Sequence, residues 1–278
     1  MIKLIDGRAL AEKVKDKIAQ EVFKAVQNGE AHPSLAIILV GNRPDSELYV
    51  RLKEREARKL GIDTFLYELE ETTSEAEIIE TIKFLNNDDT IDSVLVQLPL
   101  PENIDTDKVM AALDPKKDAD GFLDNHPDNV MSPVLASVKM MLDDTKIDPK
   151  DLSAGALYNS EVFGDALKKL LTDYGFKDVK GITARDASEV AKISETVDVL
   201  VVAIGAPFFI KEGMIKHDAV IIDIGTTQVG DKVCGDVDFD NVKEKASYIS
   251  PVPGGIGPMT IAFLFKNVLS IYKNKKTA

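Results

Sequence analysis

Residues 34–62 read SLAIILVGNRPDSELYVRLKEREARKLGI, and this stretch decides the fold class. Its first part, SLAIILVG at 34–41, is an unbroken apolar run, which is typical of a buried strand. Residues 46–62 then fit a helix that Gly61 ends. A second strand pattern, DTFLYELE, starts directly afterwards at Asp63. The order strand, helix, strand indicates a mainly parallel sheet.

The same alternation extends in both directions from this stretch. An amphipathic helix is predicted over 7–28, with apolar residues at steps of four and a glycine stop. On the other side, a helix begins at the capping-box pair Ser74 and Glu77, and the apolar strand SVLVQLP follows at 93–99. We therefore predict an α/β protein whose sheet is covered by helices on both faces.

A change in composition divides the chain. Residues 114–133 are rich in Asp, Asn and Pro and are predicted to be a linker. A second alternating series follows it, which is typical of a Rossmann-type half. Its predicted strands are GALYN, 179–184, VDVLVVAIG and AVIIDIG, and its predicted helices lie near 133–143, at 161–174 and from about 187. The apolar tail at 258–273 has helical spacing and is expected to dock on one of the domains.

The composition argues against several classes of protein. A chain of 278 residues is long enough to fold around a sizeable core, so we predict a folded protein. Its net charge of −13 predicts that it repels nucleic acid and anionic lipid. Its apolar runs are interrupted and no secretory signal is evident, so we expect no membrane partner and a cytoplasmic location. The single cysteine, Cys234, agrees with a reducing compartment. The three histidines are scattered, and we predict no metal site.

Three residues of the helix at 46–62 share one face. Ser46, Tyr49 and Lys53 are three and four positions apart and therefore follow one stripe. A tyrosine and a lysine at this spacing are usually part of a solvated helix face. The functional alternative is a lysine in a partly desolvated cleft, where a lowered pKa lets the amine carry a proton.

Three other segments contain residues that a plain structural role explains poorly. Gln97 lies inside LVQLPLP, where its amide is either satisfied by backbone or placed for a ligand at the carboxyl end of a strand. Asp120 lies in KKDADGF, which fails the calcium-loop pattern, and it either forms a turn or accepts two hydrogen bonds from an amidine-like ring edge. The turn SPVPGGIGPMT at 250–260 holds three prolines and three glycines, which favours a ligand-lining role.

Together these segments resemble one family, the bifunctional methylenetetrahydrofolate dehydrogenase/methenyltetrahydrofolate cyclohydrolases (FolD). The matching segments, in order, are IDGRALA, VGNRPDSELYVRLKEREARKLGI, LVQLPLP, DPKKDADGF, VLVVAIGAPFFI, AVIIDIG, GDVDF and SPVPGGIGPMTIAFL. They cover most of residues 1–123 and 197–265. The resemblance implies an N-terminal α/β folate-binding domain at 1–123 that includes the final helix at 258–278, and a Rossmann-type dinucleotide-binding domain at 124–257.

The resemblance also implies roles for single residues. Lys53 matches the catalytic lysine of both activities, and Tyr49 matches the aromatic ring that stacks on the folate. Gln97 matches the amide that binds the lysine, and Asp120 the carboxylate that holds the pterin edge. Further substrate-binding positions are implied at Ser46, Leu98, Pro99, Pro251, Pro253, Gly254 and Gly255.

The implied reaction has two steps. A hydride passes from 5,10-methylenetetrahydrofolate to the nicotinamide, and water then converts the 5,10-methenyl cation to 10-formyltetrahydrofolate. A lysine beside such a cation must be neutral for part of the cycle, which burial favours. The likeness further implies NADP as the cofactor, a homodimer, and a supply of one-carbon units to purine biosynthesis.

The dinucleotide site departs from the family pattern. Its Gly-Arg-Ser motif, whose arginine helps to hold the NADP 2′-phosphate, is replaced by Tyr158-Asn159-Ser160. A tyrosine side chain at this turn could crowd a pyrophosphate that needs close backbone approach. Arg185 is a candidate partner for the phosphate, whereas Asp186 favours NAD. The predicted cofactor contacts are Tyr158, Asn159, Ser160, Arg185, Gly205 and Thr226.

The sequence is compatible with three functions. The first is the bifunctional enzyme with an altered grip on NADP or NAD. The second is a cyclohydrolase alone, whose dinucleotide site is degenerate. The third is a non-enzymatic folate-binding protein, which has no need to keep lysine, glutamine and carboxylate together.

Overall fold

The computed structural model describes residues 3–122, 130–184, 187–230 and 232–277. The chain divides into two compact units. One comprises Met1–Ala11 and Val134–Thr260, and the other comprises Glu12–Pro133 and Ile261–Ala278. After their sheets, we name the first the six-stranded unit and the second the three-stranded unit.

The three-stranded unit is built around one fully buried strand. β2 (Ser34–Val40) pairs in parallel with β3 (Asp63–Leu69) on one side and β4 (Ser93–Val96) on the other. Every residue of β2 is buried, because its two edges are paired and both faces are covered, which requires an apolar sequence throughout. The prediction of a buried strand is confirmed.

Helices connect these strands where the sequence signals place them. α2 (Pro44–Leu60) is followed by Gly61, whose φ of +75° is left-handed, so the glycine stop is confirmed. α3 (Glu75–Asn86) starts with a complete capping box between Ser74 and Glu77, as predicted. Further helices that contribute residues to this unit are α1 (Gly7–Gln27), α4 (Thr106–Met110) and α9 (Ile256–Thr277).

Part of the predicted linker is built into the three-stranded unit. Val94 of β4 donates its N–H to the Lys117 carbonyl, and Ala119 donates its N–H to the Val94 carbonyl. The Lys117 side chain is buried, and its Nζ donates to the carbonyls of Leu85 and Asp88 at the end of α3. The linker prediction is therefore wrong for residues 114–120. Composition misleads there because a charged side chain is buried as a cap for a helix end.

The six-stranded unit contains one parallel sheet, in the order β1-β11-β8-β7-β5-β6. The predicted strands appear as β5 (Ser153–Tyr158), β6 (Asp178–Thr183), β7 (Val199–Ala203) and β8 (Val220–Asp223). The sheet also contains β1 (Lys3–Leu4) and β11 (Tyr248–Ile249), which the sequence did not predict. Each has two residues, too few for a strand pattern, and they pair with one another from opposite ends of the chain.

Short helices and a hairpin surround this sheet. The helices are α5 (Pro133–Thr145), α6 (Glu161–Tyr174), α7 (Ala187–Ser194) and α8 (Phe239–Val242), with 3₁₀ turns at Pro149–Asp151 and Glu212–Met214. The antiparallel hairpin consists of β9 (Thr227–Val229) and β10 (Lys232–Cys234). The alternation of parallel strands and helices confirms the α/β class with a Rossmann-type second domain.

The direction in which strands are added to the sheet reverses at β5. β6 pairs on one side of β5, and β7 pairs on its other side. Ligands of open parallel sheets bind at such a switch point, outside the carboxyl ends of the strands. We call the gap between the carboxyl ends of β5 and β7 the switch-point crevice.

The described ranges lack two kinds of feature. Within them, no helix combines the length and the apolar character needed to cross a bilayer. Within the same ranges, no group of three or more His, Cys, Asp or Glu residues is arranged to hold a metal ion.

A buried carboxylate links α1 to α2 and makes folding pH-dependent. Glu56 accepts hydrogen bonds from Lys15 Nζ at 2.7 Å and Lys59 Nζ at 2.8 Å. Burial raises the pKa of Glu56, but the two lysines outweigh it and hold the pKa at about 2. Because this folded-state pKa lies below the unfolded value, the stabilisation is present above about pH 4.5 and is lost as the pH falls toward 2.

We expect Glu56→Gln to lower the free energy of unfolding at pH 7 by about 1–3 kcal/mol, because two lysines lose their charged partner. The loss should shrink as the pH falls from 5 toward 2, as measured by urea unfolding at each pH. Glu47→Gln is the control, since Glu47 forms an i,i+4 pair with the exposed Arg51 on the same helix. An equal loss at pH 7 and pH 2 in Glu56→Gln would contradict the assignment.

Candidate functional site

Two side chains from different elements meet at the carboxyl end of β4. The Gln97 N–H donates to the Ile38 carbonyl at 2.9 Å, which continues the strand ladder one residue past β4. The Gln97 side chain accepts a hydrogen bond from Lys53 Nζ at 2.8 Å and donates one to the Leu98 carbonyl at 2.6 Å. The backbone therefore satisfies one side of the amide and a lysine of α2 satisfies the other. The contact with the Leu98 carbonyl agrees with an amide satisfied by backbone. That Gln97 also contacts a ligand stays a prediction.

Lys53 is an amine with restricted access to water. Its side chain is half-buried, and burial lowers the pKa of Lys53 below its ordinary value, while the negative charge of Asp120 offsets part of the shift. Burial likewise raises the pKa of Asp120, and the positive charge of Lys53 opposes that rise. The two groups are electrostatically coupled, so a change in the charge of one shifts the pKa of the other.

Neighbouring backbone fixes the position of Asp120. Asn267 of α9 is buried and donates from Nδ2 to the Ala119 carbonyl and to the Met131 carbonyl, each at 3.0 Å. Gly121 has φ +61°, and a Cβ there would lie 2.4 Å from the Val130 carbonyl oxygen. Only glycine allows this approach. Asp120 therefore lies at the start of a segment whose two ends are held together by a helix side chain.

The other residues of the α2 stripe differ in exposure. Tyr49, one turn before Lys53, has 46% of its surface exposed. Ser46 is buried, and its Oγ finds no hydrogen-bond partner in the described part of the chain. After Gln97 the chain passes through Leu98, which is half-buried, and a cis peptide bond to the exposed Pro99. The exposed ring of Tyr49 therefore lies one helical turn from the half-buried Lys53, and that a flat ligand stacks on this ring stays a prediction.

The proline-glycine turn lies in the six-stranded unit, between β11 and α9. The Val252–Pro253 peptide bond is cis, and Gly254 has φ +114°. A Cβ on Gly255 would lie 2.6 Å from the Pro251 carbonyl oxygen, and a Cβ on Gly7 would lie 1.9 Å from the Gly255 carbonyl oxygen. Gly254 is therefore favoured by its left-handed φ and Gly255 by the close Pro251 carbonyl, while Gly7, at the start of α1, is required by the close Gly255 carbonyl. That this turn lines the same cleft as Lys53 stays a prediction.

Asn159 ties together the two strand ends at the switch-point crevice. It follows β5, and its Nδ2 donates to the Ile204 carbonyl, just after β7, at 2.8 Å. Ser160 precedes α6 and makes no capping hydrogen bond through its side chain. Backbone N–H groups in the first turn of a helix are therefore available here to an anion, which fits the pyrophosphate of a dinucleotide.

Two further predicted cofactor residues follow neighbouring strands. Gly205, after β7, has φ +68°, and its N–H donates to Asp236 Oδ2 at 3.0 Å. Thr226, after β8, is exposed. Arg185 lies outside the described residues, as does Asp186.

The side chain of Tyr158 does not obstruct the crevice. It is 4% exposed, and a Cβ on Gly164 of α6 would lie 2.5 Å from its ring atoms. Its hydroxyl reaches β6, where a Cβ on Gly181 would lie 2.9 Å away. The expectation that Tyr158 crowds a pyrophosphate is therefore wrong, because the absence of a side chain at Gly164 and Gly181 creates the space that encloses the ring. Only the backbone of Tyr158 is left to contact a cofactor.

Sequence reasoning missed Asn267 and Asp236. Asn267 interrupts the apolar run AFLFKNVLSI, as Gln97 interrupts its strand, so the same signal was present. Asp236 lies between a glycine and a valine in GDVDF. It is fully buried, but its sequence neighbours do not distinguish it from the part-exposed Asp238.

Family models match almost all of this chain. The model described as tetrahydrofolate dehydrogenase/cyclohydrolase, catalytic domain, matches residues 5–120. The model described as tetrahydrofolate dehydrogenase/cyclohydrolase, NAD(P)-binding domain, matches residues 133–276.

Whole FolD proteins are similar to this chain over their full length. The chain is 40% identical to the bifunctional protein FolD of a Nitratiruptor species, with 99% of each chain covered. The crystal structure of the bifunctional enzyme FolD from Campylobacter jejuni superposes with a TM-score of 0.92 at 31% identity, and the match covers 99% of this chain and 100% of that chain. The FolD of Trypanosoma brucei, complexed with NADP cofactor and inhibitor, gives a TM-score of 0.92 at 30% identity, and the match covers 100% of this chain and 99% of that chain.

The coupling between Lys53 and Asp120 predicts a measurable shift. We expect the amine of Lys53 to titrate below its ordinary pKa, and to titrate lower still in Asp120→Asn, because the carboxylate no longer stabilises the ammonium. The measurement is ¹³C NMR of the reductively methylated protein, with the Lys53 signal assigned by its absence in Lys53→Met. Asp107→Asn, at an exposed position of α4, is the control and should leave the titration unchanged. An ordinary pKa for Lys53 in the wild type would refute the burial of this amine.

Proposed function

We propose that Lys53 serves both reactions of a one-carbon folate enzyme. This chain belongs to the tetrahydrofolate dehydrogenase/cyclohydrolase family, and the proposal starts from that membership. The observation that carries this proposal is the half-buried Lys53 amine, whose pKa is lowered and whose Nζ is bonded to Gln97. Lowering the pKa raises the fraction of neutral amine near neutral pH. A neutral amine is able to accept a proton during catalysis.

Family membership confirms the main functional predictions. The chain is an enzyme, a bifunctional methylenetetrahydrofolate dehydrogenase and methenyltetrahydrofolate cyclohydrolase, and its second domain binds NAD(P). The relatives favour this function over a cyclohydrolase alone and over a non-enzymatic folate-binding protein.

In the dehydrogenase reaction, the methylene carbon of 5,10-methylenetetrahydrofolate loses a hydride. NADP, or NAD, supplies the acceptor for that hydride when it is bound. The methenyl product is a cation, and an ammonium group beside it would repel it. Burial of Lys53 reduces this repulsion, because it favours the neutral amine.

In the cyclohydrolase reaction, water attacks the methenyl carbon and Lys53 accepts a proton from the attacking water. The carbon–nitrogen bond to N5 then breaks, one proton passes to N5, the other is released, and 10-formyltetrahydrofolate forms. Gln97 holds the Lys53 nitrogen in place through the 2.8 Å hydrogen bond to its Oε1. Fixing the base in this way removes the rotational freedom that a lysine side chain ordinarily has.

We assign substrate recognition to the residues that match the folate-binding positions of the family. The exposed ring of Tyr49 stacks on the pterin, and the carboxylate of Asp120 accepts hydrogen bonds from the amidine-like edge of the pterin. The buried Ser46 hydroxyl, which lacks a protein partner within the described residues, is a further polar contact. The other substrate contacts are Leu98, Pro99, Pro251, Pro253, Gly254 and Gly255.

The dinucleotide is held at the switch-point crevice. Asn159 and Ser160 lie at the start of α6, where backbone N–H groups suit the pyrophosphate, and Gly205 and Thr226 follow the neighbouring strands. Arg185 is the candidate partner for the 2′-phosphate of NADP. Tyr158 contributes through its backbone only.

Some features rest on the resemblance alone. We propose a homodimer, a cytoplasmic location and a role in purine biosynthesis. We also propose a folate-binding domain at 1–123 that includes the final helix at 258–278, and a dinucleotide-binding domain at 124–257.

The first test is a paired assay of the wild-type protein. With 5,10-methylenetetrahydrofolate and NADP or NAD, we expect reduced nicotinamide and 10-formyltetrahydrofolate to accumulate together. Without either cofactor, 5,10-methenyltetrahydrofolate should still be hydrolysed. Hydrolysis without any reduction of either cofactor would overturn the bifunctional assignment in favour of a cyclohydrolase.

The second test removes the amine. Lys53→Met should lower both reaction rates by about 10²- to 10⁴-fold, the range typical of a lost general base, while circular dichroism stays unchanged. Arg58→Met is the control, because Arg58 is an exposed cationic residue of the same helix, whereas Lys59 holds the buried Glu56. This variant should retain both activities. Near wild-type hydrolysis by Lys53→Met would exclude this lysine from the mechanism.

A further inference from the structure

Two buried carboxylates lie beneath the strand ends of the six-stranded unit. Asp223 is the last residue of β8 and is 2% exposed, and Asp236 follows β10 and is fully buried. Neither is among the residues predicted to bind folate or the dinucleotide. Buried carboxylates are uncommon and costly unless their oxygens accept hydrogen bonds.

Asp236 holds the turn that follows β7. Its Oδ2 accepts hydrogen bonds from the N–H groups of Ile204 at 2.7 Å and Gly205 at 3.0 Å. These are the two residues directly after β7, at the switch-point crevice. Two successive N–H groups on one oxygen fix the orientation of the peptide between them. The Ile204 carbonyl, in turn, accepts the hydrogen bond from Asn159.

Asp223 holds Asp236 in its place. Its Oδ1 accepts from the N–H groups of Gly225 at 2.9 Å and Asp236 at 3.1 Å, and its Oδ2 accepts from the Val237 N–H at 2.9 Å. A continuous set of hydrogen bonds therefore runs from β8 through Asp236 and the turn after β7 to Asn159 after β5. It connects the carboxyl ends of three neighbouring strands.

Two glycines show how closely the carboxylates are enclosed. A Cβ on Gly225 would lie 2.5 Å from Asp236 Oδ1, and a Cβ on Gly235 would lie 2.0 Å from Asp223 Oδ2. Asp236 Oδ1 is buried and has no hydrogen-bond partner in the described ranges. Burial, together with the charge of Asp236, raises the pKa of Asp223 to about 7. A pair kept at this cost indicates a role beyond filling space.

We propose that Asp236, held by Asp223, is a positioning residue for the dinucleotide, because it fixes the backbone turn at Ile204 and Gly205 where the cofactor binds. This inference rests on the proposed dinucleotide site. The cyclohydrolase reaction needs no dinucleotide, so the two activities of one protein separate this role from a general loss of structure.

The test compares substitutions of Asp236. Asp236→Ala removes the acceptor of both N–H groups and should raise the KM for NADP by about tenfold or more, while the cyclohydrolase kcat/KM stays near the wild-type value. Asp236→Asn should largely restore the KM, since an amide oxygen can replace Oδ2 and the amide nitrogen takes the position of the unpartnered Oδ1. Gly225→Ala should act like Asp236→Ala, because the added methyl group would lie 2.5 Å from Asp236 Oδ1 and 2.6 Å from the Asp236 backbone nitrogen and so displaces Asp236.

Asp198 provides the matched control at the opposite end of the same sheet. It precedes β7, and its Oδ2 accepts from the N–H and the Oγ of Ser153, each at 2.9 Å. Asp198→Ala should lower the melting temperature without changing the KM for NADP.

Several results would overturn the inference. They are an unchanged KM in Asp236→Ala, a parallel fall of both activities, an equal rise of the KM in Asp198→Ala, and failure of both Asp236→Ala and Gly225→Ala to fold. A wild-type protein that reduces neither NADP nor NAD would refute the dehydrogenase function itself, and the positioning role would fall with it.

Discussion

The mechanism we propose depends on one hydrogen bond, from the amine of Lys53 to the side-chain oxygen of Gln97. The bond joins the middle of α2 to the end of β4, so it forms only when α2 is packed on the parallel sheet in its native position. Burial destabilises the ammonium, and the nearby Asp120 compensates in part. The result is an amine that is held in place and is more easily deprotonated than one in water.

In the six-stranded unit, buried acidic side chains rather than a lysine lie at the strand ends. Their carboxylates accept hydrogen bonds from backbone N–H groups of the turns that follow parallel strands. Within the described residues, no side-chain cation takes part in the hydrogen bonds of Asp236. In both units the polar groups lie where strands end, because the backbone there is no longer paired within the sheet and needs other partners. Positions next to those polar groups are also where open parallel sheets bind ligands.

Local patterns predicted most of the fold. The apolar run of β2, the glycine after α2 and the capping box of α3 each depend on residues close in sequence, and each appears in the structure. The pairing of β1 with β11 was not predictable in this way, since two residues at one end of the chain pair with two near the other. The segment at 114–120 misled because Lys117, a charged residue, is buried as a cap for α3.

The sequence predicted which residues of the candidate site share a helix face, but it did not predict how deeply each side chain is buried. The spacing on α2 placed Ser46, Tyr49 and Lys53 on one stripe, but their different burial follows from packing that the spacing does not contain. The environment of Tyr158 depends on two glycines, on α6 and β6, that offer no side chain against its ring. No pattern near Tyr158 itself reveals that space.

The most direct measurement is chemical rescue of Lys53→Ala by small primary amines. If a neutral amine at this position is the base, ethylamine should restore hydrolysis of 5,10-methenyltetrahydrofolate in proportion to the concentration of its free base, and bulkier amines should restore less. If a folded Lys53→Ala that still binds folate gains no activity from any amine, or gains it equally from tetramethylammonium, the amine of Lys53 is not the base.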